Sequence, residues 1–498
     1  FARDVELAID ALDAVIDLNR QPDPRQDFVN KFTRKVGLGI MGLADALARL
    51  NLPYDSEEAV AFTMSVMALL EAVAWKRSWE LGARLGHAPA FECRRFDWRS
   101  LRCEEAASPE ETVELLTPAL LKASEVARFE DGWLVVKYHD VKLNDYVKGQ
   151  VVGESARRVA DDGSVRLLRL DALKRVLRDV FGVTEETLRE AEGMAPQELA
   201  RSPRHMLAMA IYEPARLWEA LKAYGRSIGA RAPRHTAVNT VAPTGTISII
   251  AGTTSGIEPY FALVYLRRVL VGELWEVVRE FRNALMSLVR QVGAPDEVVE
   301  AVLEAISKHK GSLRWALEDV EKAVRQLSVT SRDGKIVRAG WDAEALIAGI
   351  RRLAALFPMA MDFDVWYHVA HQAAAQLYTD QSISKTVNIP KEASVNSVAT
   401  AYLAAWLAGL KGITVYRDES KGAQVIYFGG QQREISQLPV RLVRKSPGLR
   451  MTIVRREMAA EEVAADAKVS SLFRLRQGDD GVVTVESDEN STCKTCNI

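Results

Sequence analysis

The residues that suggest chemistry most strongly form a run of hydroxyls and glycine at 239–252, Asn-Thr-Val-Ala-Pro-Thr-Gly-Thr-Ile-Ser-Ile-Ile-Ala-Gly. Pro243 would fix a turn and Gly245 would let the backbone approach a ligand. Free main-chain N–H groups at a helix start would favour an anion such as phosphate. The hydroxyls beside them would be those of Thr244, Thr246 and Ser248. Chemistry alone supports a Thr/Ser-rich strand and turn equally, since no Gly-x-x-x-x-Gly-Lys-Ser/Thr pattern is present.

A second candidate is the cysteine pair near the end of the chain. Cys493 and Cys496 form a Cys-x-x-Cys that includes Lys494, in a polar, charged segment. A dithiol that cycles needs accessible and moderately acidic thiols, which this spacing and basic neighbour suit. The alternative, half a zinc site, needs two more ligands, so we favour redox. Cys93 and Cys103 are interpreted as ordinary thiols in or next to helices, because four cysteines in so long a chain do not make a disulfide framework.

Two weaker patterns are discounted. Residues 37–42 match Gly-x-Gly-x-x-Gly, but the charged segment 27–35 before them is no buried strand, so close helix packing is favoured over dinucleotide binding. Tyr138-His139-Asp140 follows a possible strand, where a His beside an Asp is more often a surface hydrogen-bonding pair than a catalytic one.

The composition excludes several classes of protein. The 498 residues are 48% hydrophobic and 27% charged, which is typical of a folded chain. A net charge of -2, from 65 basic and 67 acidic residues, argues against nucleic-acid binding. Ser65 and Glu71 interrupt the apolar stretch 59–75, so we expect no membrane span. Without a signal-peptide pattern, a cytoplasmic location is expected, and the chain is expected to begin inside a fold.

Periodicity predicts the elements that would carry these residues. Helices are expected at Asp4–Leu18, Ser56–Leu85, Gly272–Gly311 and Ala343–Phe357, with Trp275, Val278 and Phe281 as core. A charged, helix-rich segment from about 103 to 231 with a strand at Trp133–Tyr138 is interpreted as an inserted module. Residues 327–338 are expected to form a turn, and the chain after Val425 a mobile tail.

Three more stretches accompany the hydroxyl-rich run, which continues into Ser-Gly-Ile-Glu-Pro at 255–259. Residues 34–58 include Gly-Leu-Gly-Ile-Met-Gly-Leu-Ala-Asp, residues 368–390 include Asp-Gln-Ser-Ile-Ser-Lys-Thr-Val-Asn-Ile-Pro, and residues 411–418 read Lys-Gly-Ile-Thr-Val-Tyr-Arg-Asp. In this order, the four stretches resemble the C-terminal part of the catalytic subunit of adenosylcobalamin-dependent ribonucleotide reductases. With its flanks the resemblance extends over residues 1 to about 95, 235 to 290 and 340 to 425, which is about half of the chain.

The resemblance implies a fold and an activity. The fold is α/β, the C-terminal part of a ten-stranded α/β barrel, with an inserted α+β module and a flexible tail. The activity is reduction of ribonucleotides to deoxyribonucleotides by a cysteine radical, with adenosylcobalamin as cofactor and no protein metal site. The expected parts are 1–103 and 232–425 for the barrel, 104–231 for the module and 426–498 for the tail. The substrate-phosphate loop would comprise Ala242, Pro243, Thr244, Gly245, Thr246, Ile247 and Ser248.

The departures from the family's pattern are equally informative. The family's radical cysteine lies in an Asn-x-Cys-x-Glu loop, which this sequence lacks. Cys493 and Cys496 do resemble the family's recycling dithiol. The expected partners are a ribonucleoside di- or triphosphate, a thioredoxin-like reductant, and an N-terminal reductase segment or a homodimer partner. The cobalamin class is favoured over the iron class by Pro-Thr-Gly-Thr-Ile-Ser and by the lack of an adjacent tyrosine pair. The alternative is a non-catalytic nucleotide- or partner-binding half of a split reductase.

Overall fold

A computed structural model describes residues 1–269, 272–332, 335–338 and 340–420, with short strands at 426–428, 452–453, 473–477 and 483–487. The chain divides into two compact units. The first comprises Phe1–Val264 and Val277–Gln424, and the second Tyr265–Glu276 and Val425–Ile498.

The first unit is rich in helices. In its N-terminal half they are α1 (Ala2–Leu18), α2 (Pro24–Thr33), α3 (Leu43–Arg49), α4 (Glu57–Leu85), α5 (Pro109–Thr112), α6 (Ala119–Val126), α7 (Asp145–Lys148), α8 (Ser155–Arg158), α9 (Leu170–Phe181), α10 (Glu185–Gly193), α11 (Pro196–Leu199), α12 (Pro203–Tyr212) and α13 (Pro214–Ser227). In its C-terminal half they are α14 (Gly245–Ala251), α15 (Arg279–Gln291), α16 (Glu297–Lys308), α17 (Leu313–Leu327), α18 (Ala343–Leu356), α19 (Val365–Gln376) and α20 (Val395–Leu407). Single 3-10 turns lie at Pro89–Glu92 and Val113–Leu115.

Helix α4 is the centre of the core. Ser56 caps its start by accepting a hydrogen bond from the Ala59 amide, and α1, α9, α12, α13 and α19 pack around it. By length and composition this 29-residue helix could cross a membrane, but 89% of its most apolar window is buried inside the protein. Ser65 and Glu71 therefore do not make α4 too polar to cross a membrane, and its burial identifies it as a core helix.

Short parallel segments form one wall of the first unit. Leu38 bridges Asn239 and Val241 bridges Ile383, both in parallel orientation. Beyond them, β10 (Thr386–Ile389) pairs in parallel with β11 (Thr414–Arg417). Helix α20 connects β10 to β11, and Ala401 on it packs with Val387 and Ile389. Parallel strands joined by a crossover helix confirm the predicted α/β class.

The remaining strands of the first unit are antiparallel. They are β1 (Cys93–Asp97) with β2 (Arg102–Ala106), then β3 (Ala127–Glu130), β4 (Trp133–Val136) and β5 (Val165–Arg169) in one sheet, and β8 (Val329–Arg332) with β9 (Lys335–Arg338). The strand predicted from Trp133 is confirmed. The turn predicted at 327–338 is instead a hairpin. Helices α9, α12 and α13, from the predicted module, share the core around α4, and the module's boundaries stay a prediction.

The prediction for Cys93 and Cys103 is wrong. The two residues lie on the β1–β2 hairpin rather than in helices, and their sulfurs are bonded at 2.07 Å. The hairpin brings their Cα atoms to 5.7 Å, within the range a disulfide spans. The strands are charged and mostly exposed, so no apolar alternation identified them.

The second unit contains two small antiparallel sheets. One has the order β12 (Ile426–Phe428), β6 (Val264–Val269), β7 (Gly272–Val277). The other has the order β13 (Thr452–Ile453), β15 (Val483–Ser487), β14 (Phe473–Gln477). The helix predicted from Gly272 is therefore wrong in its first six residues, which form β7, and α15 begins at Arg279.

Candidate functional site

The hydroxyl-rich run forms a tight turn into the short helix α14. Thr244, the residue before the helix, has left-handed backbone with φ 51°, and its carbonyl accepts the first helical hydrogen bond from the Ser248 amide at 2.9 Å. The three amides before that bond, those of Gly245, Thr246 and Ile247, have no acceptor among the described residues. The helix start on which the anion hypothesis depended is therefore present, with three free donors.

The side chains of the predicted phosphate loop differ in exposure. Thr244 is half-buried and Ser248 is buried, whereas the other five residues are exposed: Ala242, Pro243, Gly245, Thr246 and Ile247. The Thr244 hydroxyl accepts from the Gly256 amide at 2.8 Å, and the Ser248 hydroxyl bonds to that of Ser255 at 2.9 Å. Of the three hydroxyls, Thr246 alone has no partner in the described part of the chain.

The glycine-rich stretch 37–42 packs against residues on both sides of this loop. A side chain at Gly37 would place its Cβ 2.6 Å from the Thr240 Cγ2 atom, and one at Gly42 would overlap the Thr253 hydroxyl. Gly42 also has φ +81°, and its amide donates to the Thr254 carbonyl at 2.7 Å. The glycines are therefore required for close packing beside the loop, as the favoured interpretation expected, and they follow no buried strand of a dinucleotide fold.

Asp45, three residues after that stretch, fixes the segment that returns from the loop. One carboxylate oxygen accepts from the Thr253 hydroxyl and from the Thr254 amide at 2.8 Å, and the other accepts from the Tyr260 hydroxyl at 2.8 Å. We call residues 253–260 the return segment. Sequence reasoning missed Asp45, although it ends one of the stretches that carry the family resemblance.

A buried ionic cluster lies just before the glycine-rich stretch, 37–42, and the hydroxyl-rich run, 239–252. Arg34 bonds to Asp13 and Asp17, while Arg234 and His235 also reach Asp13. Burial alone would raise the pKa of Asp13, but hydrogen bonds from His235 and Arg34 outweigh it and hold that pKa well below its usual range. The carboxylate therefore stays charged and ties α1 to the two wall segments that follow Arg34 and His235.

The third wall segment alternates in burial. Ile383, Lys385, Val387 and Ile389 are buried, whereas the opposite face is more exposed and entirely polar. That face carries Ser382, Ser384, Thr386 and Asn388. Tyr416, which pairs with Asn388 across β10 and β11, has a buried hydroxyl without a hydrogen-bond partner among the described residues. The wall that adjoins the loop therefore offers neutral hydroxyl and amide groups.

The structure describes only some of the other candidate residues. Cys493 and Cys496 lie outside the described residues. His139 stacks on Trp406 and bonds to its carbonyl at 2.9 Å, while Asp140 pairs with Lys137 at 3.5 Å. The expectation of a hydrogen-bonding pair is therefore wrong, because His139 and Asp140 each bond to another residue. No group of three or more metal-ligating side chains occurs among the residues that were placed.

Comparison with known proteins adds to this geometry. The family model described as "Ribonucleotide reductase, barrel domain" matches residues 1–416. The vitamin B12-dependent ribonucleoside-diphosphate reductase of Mycobacterium tuberculosis is 27% identical over 436 residues, which are 86% of this chain and 37% of that protein. The protein of the same name from Thermoplasma acidophilum is 25% identical over 420 residues, 84% of this chain and 33% of the relative. The chain thus spans about a third of the length of these curated relatives.

Proposed function

Because the chain belongs to the ribonucleotide reductase family through its barrel domain, we propose that it supplies the substrate-phosphate loop of an enzyme that makes 2′-deoxyribonucleotides. The observation that carries this proposal is the start of α14, where three neighbouring amides beside the exposed Thr246 lack acceptors within the described part of the chain. A phosphate would accept from these donors and gain from the helix dipole. The loop thereby would hold the phosphate end of a ribonucleoside di- or triphosphate.

The loop's role in the reaction is orientation. When the phosphates are fixed, the attached ribose can extend in only one direction. A correctly oriented ribose has a lower activation barrier for its reaction. The neutral polar wall of Ser384, Thr386 and Asn388 would line the space for an uncharged sugar. We propose that the parallel segments belong to a ten-stranded barrel, with 104–231 as an inserted module and 426–498 as the tail region.

Adenosylcobalamin is the proposed cofactor, because the relatives are named as vitamin B12-dependent. When bound, it would supply the radical by homolysis of its cobalt–carbon bond. The described residues contain no cluster of three or more His, Cys, Asp or Glu side chains that could hold a metal ion. The radical cysteine would come from an Asn-x-Cys-x-Glu segment outside this sequence, in an N-terminal reductase segment or a homodimer partner.

Cys493 and Cys496 are proposed as the recycling dithiol. In thiol–disulfide exchange their two thiols would reduce an active-site disulfide to two thiols and become a disulfide themselves. A thioredoxin-like dithiol protein would then reduce that disulfide. Replacing both cysteines by Ser should permit about one turnover with the dithiol protein, while small thiols restore multiple turnovers. Multiple turnovers with the dithiol protein alone would remove the tail from the mechanism.

Reconstitution tests the proposed function. The chain is mixed with a polypeptide that carries the Asn-x-Cys-x-Glu segment, adenosylcobalamin, a ribonucleotide and a reductant, and deoxyribonucleotide is measured. We expect product that depends on both polypeptides. A folded complex that binds nucleotide but forms no product would support the non-catalytic alternative instead.

A further inference from the structure

Lys385 is a fully buried cation behind the phosphate loop. Its side chain is 0% exposed, and its Nζ atom lies 2.7 Å from Glu258 Oε2, 2.9 Å from His368 Nδ1 and 2.6 Å from the Thr386 carbonyl. The proposed binding of phosphate by the loop does not involve the Lys385 side chain directly.

The three contacts fit an ammonium. Burial lowers the pKa of Lys385 from its usual value, and the charge and hydrogen bond of Glu258 oppose that shift. An ammonium has three N–H donors, whereas a neutral amine has two, and three acceptors surround this nitrogen. His368 must accept at Nδ1, because its Nε2 lies 2.9 Å from the Ala360 carbonyl and therefore carries the proton. Burial also holds the pKa of His368 well below its usual value, so this ring is neutral. Lys385 is consequently the positive charge that faces Glu258.

Glu258 transmits the position of Lys385 to the loop. Its second carboxylate oxygen accepts from the Thr386 amide at 2.7 Å, so both oxygens are fixed at β10. Its own amide donates to the Ser255 carbonyl at 2.9 Å. From there the Ser255 hydroxyl bonds to Ser248 and the Gly256 amide to Thr244. A continuous series of bonds therefore runs from the buried ammonium to the residues that flank the free amides.

We propose that Lys385 is a positioning residue, which acts through Glu258 to hold the free amides of α14 in register for the substrate's phosphates. The ammonium also favours phosphate binding by balancing the charge of the Glu258 carboxylate, which is 23% exposed. Without Lys385 this carboxylate would be an uncompensated negative charge beside an anion site. The inference rests on the proposed function of the loop. It assigns to this site a charge pair whose members, 127 positions apart, come from two of the four resembling stretches.

The test compares ligands with and without phosphates on the full chain. Lys385→Met should weaken binding of a ribonucleoside diphosphate about tenfold or more, because an anion loses both alignment and charge balance. Binding of the matching nucleoside should change less than about twofold, since it has no group for the amides. In Lys385→Met/Glu258→Gln the carboxylate charge is gone, and diphosphate affinity should recover in part. Calorimetric titration measures all of these affinities.

Lys222→Met is the matched control. Lys222 is also buried, pairs with Glu114 and Glu219, and has no bond to the loop. The Lys222→Met substitution should lower the melting temperature without changing the ratio of diphosphate affinity to nucleoside affinity. If Lys385→Met does not fold, Lys385→Arg keeps the charge but not the three-bond geometry, and should weaken diphosphate binding several-fold while sparing the nucleoside.

The outcomes separate the two proposals. If the unaltered chain binds no diphosphate, the proposed function of the loop fails, and this inference fails with it. If the unaltered chain binds but folded Lys385 variants bind diphosphate equally well, only the positioning role is overturned. Equal losses of diphosphate and nucleoside affinity would likewise reduce Lys385 to a structural ion pair.

Discussion

Residues 242–252, which comprise the proposed phosphate loop and the rest of α14, and the return segment, 253–260, are consecutive in sequence and opposite in character. Residues 242–252 are largely exposed, with Ile250 83% exposed, and three of their amides have no acceptor among the residues that the structure describes. In the return segment Gly256, Ile257, Pro259 and Tyr260 are buried, and the polar side chains of Glu258 and Tyr260 are bonded to other elements. The amides available for a ligand are left unsatisfied, while the side chains of Asp45, Glu258 and Tyr260 that place them are bonded. The buried hydroxyl of Thr254 is an exception in the return segment, since it has no partner among the described residues.

This difference gives each region its own experimental signature. Substitutions in the return segment or its anchors should lower both the stability of the fold and the affinity for nucleotide. Substitutions of exposed loop side chains should lower affinity alone, because they remove few contacts within the protein.

The largest effect is expected for Asp45→Ala, which leaves the donors of Thr253, Thr254 and Tyr260 without their acceptor. We expect a loss of about 2–4 kcal/mol in the free energy of unfolding, together with weaker nucleotide binding. Urea denaturation and calorimetric titration measure the two quantities. Asp179→Ala, which removes an exposed pair with Arg178, is the control and should cost under about 0.5 kcal/mol. Equal effects of the two substitutions would mean that Asp45 is no anchor.

Two glycines with similar backbone give the next test. Gly42 has φ +81° and Gly86 has φ +87°, but a Cβ at Gly42 would overlap the Thr253 hydroxyl, whereas nothing lies within 4 Å at Gly86. Gly86→Ala should cost only the backbone strain, about 1–2 kcal/mol. Gly42→Ala should cost about 1 kcal/mol more, because the return segment must shift. Identical melting temperatures for the two variants would show that the glycine stretch does not press on the return segment.

A smaller, pH-dependent effect is expected at Asp362. Its carboxylate accepts from the Met359 amide and the Ser312 hydroxyl, and Met359 bridges Tyr260 at the end of the return segment. Burial raises the pKa of Asp362 from 3.8 to about 6. A raised carboxyl pKa means that the folded state binds the proton more tightly, so this contribution to stability is complete below 3.8 and is lost as the pH rises through about 6.

Asp362→Asn removes that titration. The difference in unfolding free energy between the unaltered chain and the variant should therefore decrease between about pH 4 and pH 7. Denaturation at several pH values measures it. A difference that stays constant or increases over this range would contradict the assigned direction.

The smallest effect on stability, with a clear effect on binding, is expected in the loop. Thr246→Val should change the unfolding free energy by less than about 0.5 kcal/mol and weaken nucleotide binding by about 1–3 kcal/mol. Thr244→Val removes the acceptor of the Gly256 amide, so it should lower stability as well. If both variants bind nucleotide normally, the loop is structural. If Thr246→Val lowers the free energy of unfolding as much as Thr244→Val does, the contrast between residues 242–252 and the return segment disappears.

Local patterns predicted much of the fold and the start of the site. Helix α4 and helix α18 followed from apolar periodicity, and the α14 turn from its Pro-Thr-Gly sequence. The β1–β2 hairpin was missed because its strands are charged, and β7 because its hydrophobic spacing also suits a helix. Asp45 and Lys385 were missed for another reason. Their partners lie 208 and 127 positions away, and no local pattern specifies such pairs.

The most direct test of the central claim follows the amide resonances of Gly245, Thr246 and Ile247 while a ribonucleoside diphosphate is added. If the loop holds the phosphates, these three resonances should shift and saturate together, and the matching nucleoside should leave them in place. Binding of the diphosphate that shifts other resonances and leaves these three unchanged would contradict the account.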